Sequence, residues 1–252
     1  MRFIGKTALI TGGGGVIGKA TARLLHKEGA NVVLVDHAPA ALEPIAVELG
    51  AARAQTLVAD VTKSDDCRAY VRLAKQVFGP IDIFFNNAGI EGPSAPLAEF
   101  PEDEFARVMA VNVTGVFLGL KYVLPEMRDG GSVIITSSTA GLRGAANFAA
   151  YTASKHAVVG LMRTAAVENA RRRIRVNTIH PAMVDSEMMR RIERTRQGNK
   201  TIEEVQQEFR NRIPLGRYIK PEEIADTVAH LASDASSMVT GTQVLVDGGS
   251  ML

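Results

Sequence analysis

Thr7-Ala8-Leu9-Ile10-Thr11-Gly12-Gly13-Gly14-Gly15-Val16-Ile17-Gly18 is the stretch on which the fold turns. Thr7 to Thr11 is an apolar run of strand length, four glycines follow, and Lys19-Ala20-Thr21-Ala22-Arg23-Leu24-Leu25 continues as a helix. Glycine between a strand and a helix lets the backbone approach a pyrophosphate whose charge rests on the helix N-terminal amides. Gly13, Gly15 and Gly18 fit the general dinucleotide spacing. Four consecutive glycines satisfy many patterns, so the flanking strand and helix give the match its weight; a merely flexible turn is the competing reading.

Outward from this stretch, apolar runs of strand length recur at 31–35, 54–59, 81–85, 132–136, 174–179 and 243–246, most of them separated by helical segments. That alternation is the pattern of βαβ crossovers and a parallel sheet covered on both faces, an α/β doubly wound fold. With 252 residues and 46% hydrophobic content, one large domain spanning 1–252 suits the chain better than two small ones. A net charge of +2 gives no case for nucleic acid or a membrane surface, so a small-molecule partner is expected. Cys67 is the only cysteine, which excludes an internal disulfide and a cysteine-based zinc site. No metal is expected. The N-terminus runs straight into a strand without an apolar leader, and no uninterrupted apolar run is long enough to span a bilayer; a cytoplasmic protein is the expectation.

Polar residues cluster at the ends of these strands. Asp36 stands eighteen residues past Gly18, close to the spacing at which an acid accepts the adenosine ribose hydroxyls. A carboxylate there opposes a 2′-phosphate by up to roughly 4 kcal/mol at about 4 Å and an intermediate dielectric, which favours NAD over NADP. Such an aspartate equally serves as a turn or cap residue. Asp60, followed by Val61, either meets the adenine amino group or begins the turn before a helix at Ser64-Asp65-Asp66. Asn86-Asn87-Ala88-Gly89 suits a loop whose side chains satisfy its own backbone while the main chain lies against a ligand. Pro101 with Glu102, Asp103 and Glu104 reads as a helix first turn. That helix carries Asn112 inside an apolar run, where a buried amide must be hydrogen-bonded. Tyr151 and Lys155 stand four apart, one turn on the same helical face, so the ammonium favours the phenolate and draws the phenol's pKa down. Alone, such a pair is also what an exposed helix face shows.

Taken together, these residues resemble the short-chain dehydrogenase/reductase family over essentially the whole chain. The likeness rests on the glycine-rich start, Asp60, Asn86-Asn87-Ala88-Gly89, Asn112, Ser138, Tyr151 with Lys155, Asn177 with Pro181, and the closing Val246-Asp247-Gly248-Gly249. It implies a Rossmann-type domain with a seven-stranded parallel sheet and a catalytic tetrad of Asn112, Ser138, Tyr151 and Lys155. Ser138 rather than Ser137 is implied because the family serine precedes the tyrosine by thirteen residues. Tyr151 would take the alcohol proton as a hydride leaves for the nicotinamide, Ser138 would hold the substrate oxygen, and Lys155 would bind the ribose and join a water held near Asn112. Cofactor contacts are implied at Gly12, Gly15, Ile17, Gly18, Asp36, Asp60, Val61, Asn87, Ala88, Gly89, Tyr151, Lys155, Pro181, Val184 and Ser186. The expectation is an NAD-dependent oxidoreductase interconverting a secondary alcohol and a ketone. A 3-oxoacyl-thioester reductase and a non-catalytic NAD-sensing protein are the alternatives. A homotetramer through the helices of Asn112 and Tyr151 is implied by the family alone.

Two departures stand out. Val16 replaces a family glycine, so either its branched side chain crowds the pyrophosphate or Gly15 provides the close approach. Ala182 follows Pro181 where the family has glycine, a strain of about 1 kcal/mol if that backbone needs positive φ. Residues 182–215 are the least family-like and are expected to form a substrate lid, with Met183, Met188 and Met189 as an adaptable wall opposite Ala145, Ala146 and Phe148. Arg190, Arg191, Arg194 and Arg196 read either as a solvated helix face or as a greeting for an anionic substrate, and Arg171-Arg172-Arg173 as cations suited to a helix C-terminus. His180 is expected to shape its loop and His156 to pack or touch a neighbouring subunit.

Overall fold

The computed structural model describes residues 1–252. Seven parallel strands form one sheet: β1 (Thr7–Thr11), β2 (Asn31–Asp36), β3 (Ala54–Val58), β4 (Ile81–Asn86), β5 (Met127–Thr136), β6 (Arg175–Pro181) and β7 (Gln243–Val246). Their spatial order is β3-β2-β1-β4-β5-β6-β7. The order reverses between β1 and β4, and in open α/β sheets ligands bind at such a switch point, beyond the carboxyl ends of the strands.

Alternating residues along each strand serve two cores. Ala8, Ile10, Val32 and Leu34 face a cluster of 21 buried residues completed by α1 (Val16–Lys27), α2 (Pro39–Leu49) and α9 (Pro221–Ala232). Leu9, Val33 and Val35 face the opposite cluster of 24, built with α3 (Ser64–Phe78), α5 (Gly115–Val123) and α6 (Ala149–Asn169). Burial on both faces explains why the strands read as unbroken apolar runs rather than as alternating ones.

Residues 102–123 form one continuous helix with a wide turn in its middle. α4 (Glu102–Met109) passes through a π-helical segment (Ala110–Thr114) into α5. Pro101 caps α4 from outside instead of opening it, one residue earlier than its first-turn reading. Residues Glu102–Glu126 have the length and hydropathy of a membrane span, but Val116, Leu118, Leu120 and Val123 are buried in the core, which makes this a core helix of the sheet. Two further helices, α7 (Glu187–Arg196) and α8 (Ile202–Asn211), stand off the sheet around a small cluster of Met189, Val205 and Phe209. α8 starts with a capping box, Thr201 Oγ1 accepting from Glu204 N at 3.2 Å and Thr201 N donating to Glu204 at 2.7 Å.

Candidate active site

A cleft of about 1250 Å³ runs along the carboxyl ends of the strands. One end is made mainly of backbone. Gly12 takes φ +63°, open to glycine without strain, and an added Cβ would lie 2.9 Å from Asn87 Nδ2 and 3.0 Å from Ala88 Cα. Gly18 does not face the cleft; a Cβ there would sit 2.2 Å from Gly12 O, so this glycine lets α1 pack on its own loop. Gly13 likewise meets Leu34 rather than the cleft, with a Cβ only 2.7 Å from the leucine side chain. Gly15 differs: its added Cβ would find only Gly12 O, at 3.4 Å, and the residue lines the cleft. The close approach therefore falls to Gly15, and Val16, 41% exposed, opens α1 at the cleft edge.

Side chains hold this loop by bonding its backbone. Asp36 Oδ2 accepts from Gly14 N at 3.0 Å and Oδ1 from Ala38 N at 3.1 Å. Thr11 Oγ1 accepts from Asn87 N at 3.0 Å and Ala88 N at 3.2 Å, while Asn87 Nδ2 donates to Thr11 O at 3.1 Å. Asp60 Oδ1 accepts from Thr62 N at 2.9 Å and Thr62 Oγ1 at 2.7 Å, so the turn reading of Asp60 holds for that oxygen. These bonds keep the Asp60 carboxyl below its usual range against the opposing effect of burial, the larger single influence. No side chain caps α1 and no acid stands in its first turn, which leaves its N-terminal amides to the cleft. Uncapped amides, a glycine with open space and an acid at the far end fit a dinucleotide.

Deeper in the cleft lie Ser138, Tyr151 and Lys155. Ser138 ends the extended backbone after β5, accepts from Ala140 N at 3.1 Å and makes a long 3.5 Å contact to Pro181 O. Its hydroxyl is close enough to the Tyr151 phenol to favour the ionised form. The serine beside it serves the scaffold instead, for buried Ser137 donates to Lys155 O at 2.9 Å and holds α6 against the sheet. Lys155 Nζ lies 5.5 Å from the Tyr151 ring centre and donates to Thr136 O at 2.9 Å. The expected depression of the tyrosine does not occur. Burial is the largest influence on both groups, holding the phenol above its ordinary value and bringing the ammonium down to about 8.

Asn112 is held differently from the other three expected tetrad members. It is fully buried behind the cleft wall, accepting from Ile90 N at 2.8 Å and donating to Ile90 O at 2.9 Å and Ser154 Oγ at 3.0 Å. Both amide nitrogen donors are spoken for, and the wide turn around it lets the side chain reach the loop after β4. A Cβ on Gly89 would lie 3.3 Å from both Asn112 Oδ1 and Lys155 Nζ, so Asn112 stands beside the lysine through Gly89 rather than in the cleft. Ser186 caps α7, accepting from Met189 N at 3.1 Å and donating to Val184 O at 3.1 Å, while still lining the cleft with Val184 and Pro181. Ile17, Val61, Ala88 and Gly89 line it as well. Ala182 has no positive φ and carries no strain.

Several supports left no readable signal. Thr136 holds Lys155 by a carbonyl any residue possesses, and Ser154 holds Asn112. His180 is fully buried, with Nδ1 2.8 Å from Ser138 O and Nε2 2.8 Å from Thr178 Oγ1. Burial keeps its pKa low. The neutral ring donates from Nδ1 to the serine carbonyl and accepts the threonine hydroxyl at Nε2. Glu91 receives Arg191 Nε at 2.5 Å across the cleft mouth, tying the loop after β4 to α7. At the same end, Met183, Met188, Met189, Ala145, Ala146 and Phe148 form the apolar wall.

A doubly wound sheet whose switch-point cleft gathers a serine, a tyrosine and a lysine beside a glycine-lined phosphate seat defines a dinucleotide-dependent oxidoreductase class. The family model described as Enoyl-(Acyl carrier protein) reductase matches residues 14–251. Levodione reductase of Leifsonia aquatica is 42% identical, the alignment covering 98% of this chain and 95% of that protein. The 3-oxoacyl-(acyl-carrier-protein) reductase of Thermotoga maritima is 37% identical over 100% of both. A crystal structure of NAD+-bound xylitol dehydrogenase is similar with a TM-score of 0.93 and 38% identity, covering 99% of this chain and 100% of that one. The chain belongs to the short-chain dehydrogenase/reductase family.

Proposed function

We propose that this protein oxidises a secondary alcohol to a ketone, or runs the reverse reaction, with Tyr151 as general acid/base. The observation that carries the reading is the grouping of Ser138, Tyr151 and Lys155 on the floor of one cleft, next to a loop fitted to a pyrophosphate. Tyr151 exchanges the hydroxyl proton. Ser138 holds the substrate oxygen against the phenol, a positioning and charge-stabilising role. Lys155 has three donors and gives one to Thr136 O, leaving two for ribose hydroxyls. Asn112 acts behind this row, fixing Ile90 and α6. When bound, a nicotinamide dinucleotide supplies the hydride acceptor or donor.

NAD is the preferred form in this reading. Asp36 is held in place by two backbone amides, so its negative charge cannot swing away from a 2′-phosphate. We read 182–215 as the substrate lid, because α7 and α8 line the cleft opposite Ala145 and Phe148. A homotetramer rests on family analogy, and a cytoplasmic location on the lone cysteine and the lack of an apolar leader or spanning run in the sequence. For the former, Phe105, Phe117 and Val167, 40%, 45% and 79% exposed, give apolar contact points on the relevant helices.

Purified protein assayed with cyclic, aromatic and aliphatic secondary alcohols and with 3-hydroxyacyl thioesters, each with NAD and NADP, tests the reading. Alcohol oxidation with NAD supports it. Turnover of the thioesters with NADP alone assigns the protein to the 3-oxoacyl reductases, and cofactor binding without any turnover makes it a sensor.

A further inference from the structure

The lid and the loop facing it carry more guanidinium charge than they neutralise. Arg190 pairs with Asp185 and with Glu193 at 2.8 Å, Arg191 with Glu91 at 2.5 Å, and Arg194 with Glu187 at 2.6 Å. Each of those arginines has at least one carboxylate partner, as on a solvated helix face. Three others break the pattern. Arg143 follows the Ser138 turn, Arg196 ends α7 and Arg212 follows α8, and all three line the cleft without forming an ion pair. What they touch is backbone or a ring: Arg143 reaches Ser250 O at 3.3 Å, Arg196 reaches Ala146 O at 3.5 Å, and Arg212 stacks 5.4 Å above Phe209.

Two segments far apart in the chain, the turn after Ser138 and the lid, thus bring three uncompensated guanidinium groups to the substrate end of one cleft. The carboxylates that line the cleft are committed elsewhere. Asp36 and Asp60 bond the cofactor-end backbone, Glu91 holds Arg191, and Glu187 holds Arg194. Like charges converging on a cavity raise the local concentration of an opposite charge, and planar guanidinium forks suit carboxylate and phosphate oxygens. The same cleft is also lined by apolar Ala145, Phe148, Met183 and Met188, which suits a carbon skeleton separating the reacting carbon from an acidic group.

We propose that the alcohol or ketone taken by this cleft carries an anionic group, a carboxylate or phosphate, at the end remote from the reacting carbon. The proposal rests on the reading of the site as an alcohol dehydrogenase and narrows its substrate class. It sets this chain apart from enzymes whose substrates are uncharged rings or polyols.

Matched pairs test it. Initial rates are measured for 3-hydroxycyclohexanecarboxylate against cyclohexanol, for 3-hydroxybutyrate against its methyl ester, and for 3-hydroxybutyryl coenzyme A, at low and at high ionic strength. The acid is expected to exceed its neutral partner at least tenfold in kcat/KM at low salt, with the advantage shrinking as salt rises. A larger advantage for the coenzyme A ester over the free acid identifies phosphate as the anion. In Arg196→Met and Arg212→Met the acid-to-neutral ratio is expected to fall toward one, while Arg171→Met, exposed beyond the end of α6 and outside the cleft, leaves the ratio where it was. Equal or better turnover of the neutral partners overturns the proposal and leaves the alcohol dehydrogenase reading standing. If no alcohol of either kind reacts, that reading falls, and calorimetry with the cofactor-saturated protein decides the anion site. Saturable carboxylate or coenzyme A binding that Arg196→Met weakens supports it, and no binding overturns it.

Discussion

The two ends of the cleft are built by different means. At the cofactor end the surface is backbone, shaped by Gly12, Gly14 and Gly15 and held by the Asp36, Thr11 and Asn87 side chains on main-chain amides and carbonyls. At the substrate end the surface is side chains, methionine, phenylalanine and arginine, on helices packed on each other through a cluster of three buried residues and tied to the loop after β4 by the Arg191–Glu91 ion pair. A site made of backbone dictates which residues can occupy it. A site made of side chains accepts many sequences with similar shape, and its specificity lies in what those side chains carry.

The largest expected effect falls between the two ends. Tyr151→Phe removes one oxygen and keeps the ring, so cofactor affinity is expected to stay within about twofold by calorimetry. Turnover should drop by about two to four decades, roughly 3 to 5 kcal/mol in the barrier. Retained turnover would remove Tyr151 from the reaction.

A pair of glycine substitutions separates folding from binding at the backbone end. Gly18→Ala pushes a methyl to 2.2 Å from Gly12 O, and the loop must shift. A lowered Tm, equivalent to about 1 to 3 kcal/mol, is expected. Gly15→Ala meets nothing nearer than 3.4 Å within the protein, so its Tm should hold while the methyl occupies the seat of the pyrophosphate. About a tenfold loss of cofactor affinity is expected. Equal affinity in Gly15→Ala would move the phosphates elsewhere.

Legibility in the sequence follows the same division. The seven strands were readable because burial on both faces makes each an apolar run, and the phosphate loop because only glycine fits Gly12 and Gly18. Asp36, Ser138, Tyr151 and Lys155, singled out by spacing and family likeness, all line the one cleft. For Asn112 the sequence shows only that a buried amide is bonded and does not announce its partner, here Ile90. The sign of the Tyr151 shift was missed because i to i+4 spacing reports proximity of a cation and not the burial that outweighs it. Glu91 and Arg191, a hundred residues apart, carry no local pattern at all.

Burial of Lys155 sets the next effect. Its pKa falls from 10.5 to about 8 through desolvation, so folding disfavours its proton. The unfolded chain binds more protons between those values, and stability attributable to this group rises as pH climbs from about 8 to 10.5 and is lowest below 8. Lys155→Met removes that burden along with the bond to Thr136 O. Activity should be lost, and the variant should gain up to about 2 kcal/mol at pH 7, where a net of roughly 3 from desolvation is reduced by about 1 for the orphaned carbonyl. Denaturant titrations across pH read this directly: the gain should vanish toward pH 10. A variant less stable than the parent at pH 7 would show that the ammonium is well solvated in the cleft.

The smallest expected effect joins the two ends. Glu91 holds the lid through Arg191, and its negative charge is among the influences keeping the Tyr151 phenol high. Glu91→Gln and Arg191→Met both break the tie, and because the arginine is half exposed each should raise substrate KM no more than about fivefold, the range of an exposed pair. Their effects on pH should differ in sign. Loss of the carboxylate lets the phenol ionise more easily, moving the acid limb of the oxidation profile to lower pH. Loss of the guanidinium leaves the carboxylate uncompensated beside the phenol, which moves that limb to higher pH. Opposite shifts with a shared rise in KM would establish that one ion pair both closes the side-chain end of the cleft and tunes the proton carrier. Shifts of the same sign would confine the pair to the lid.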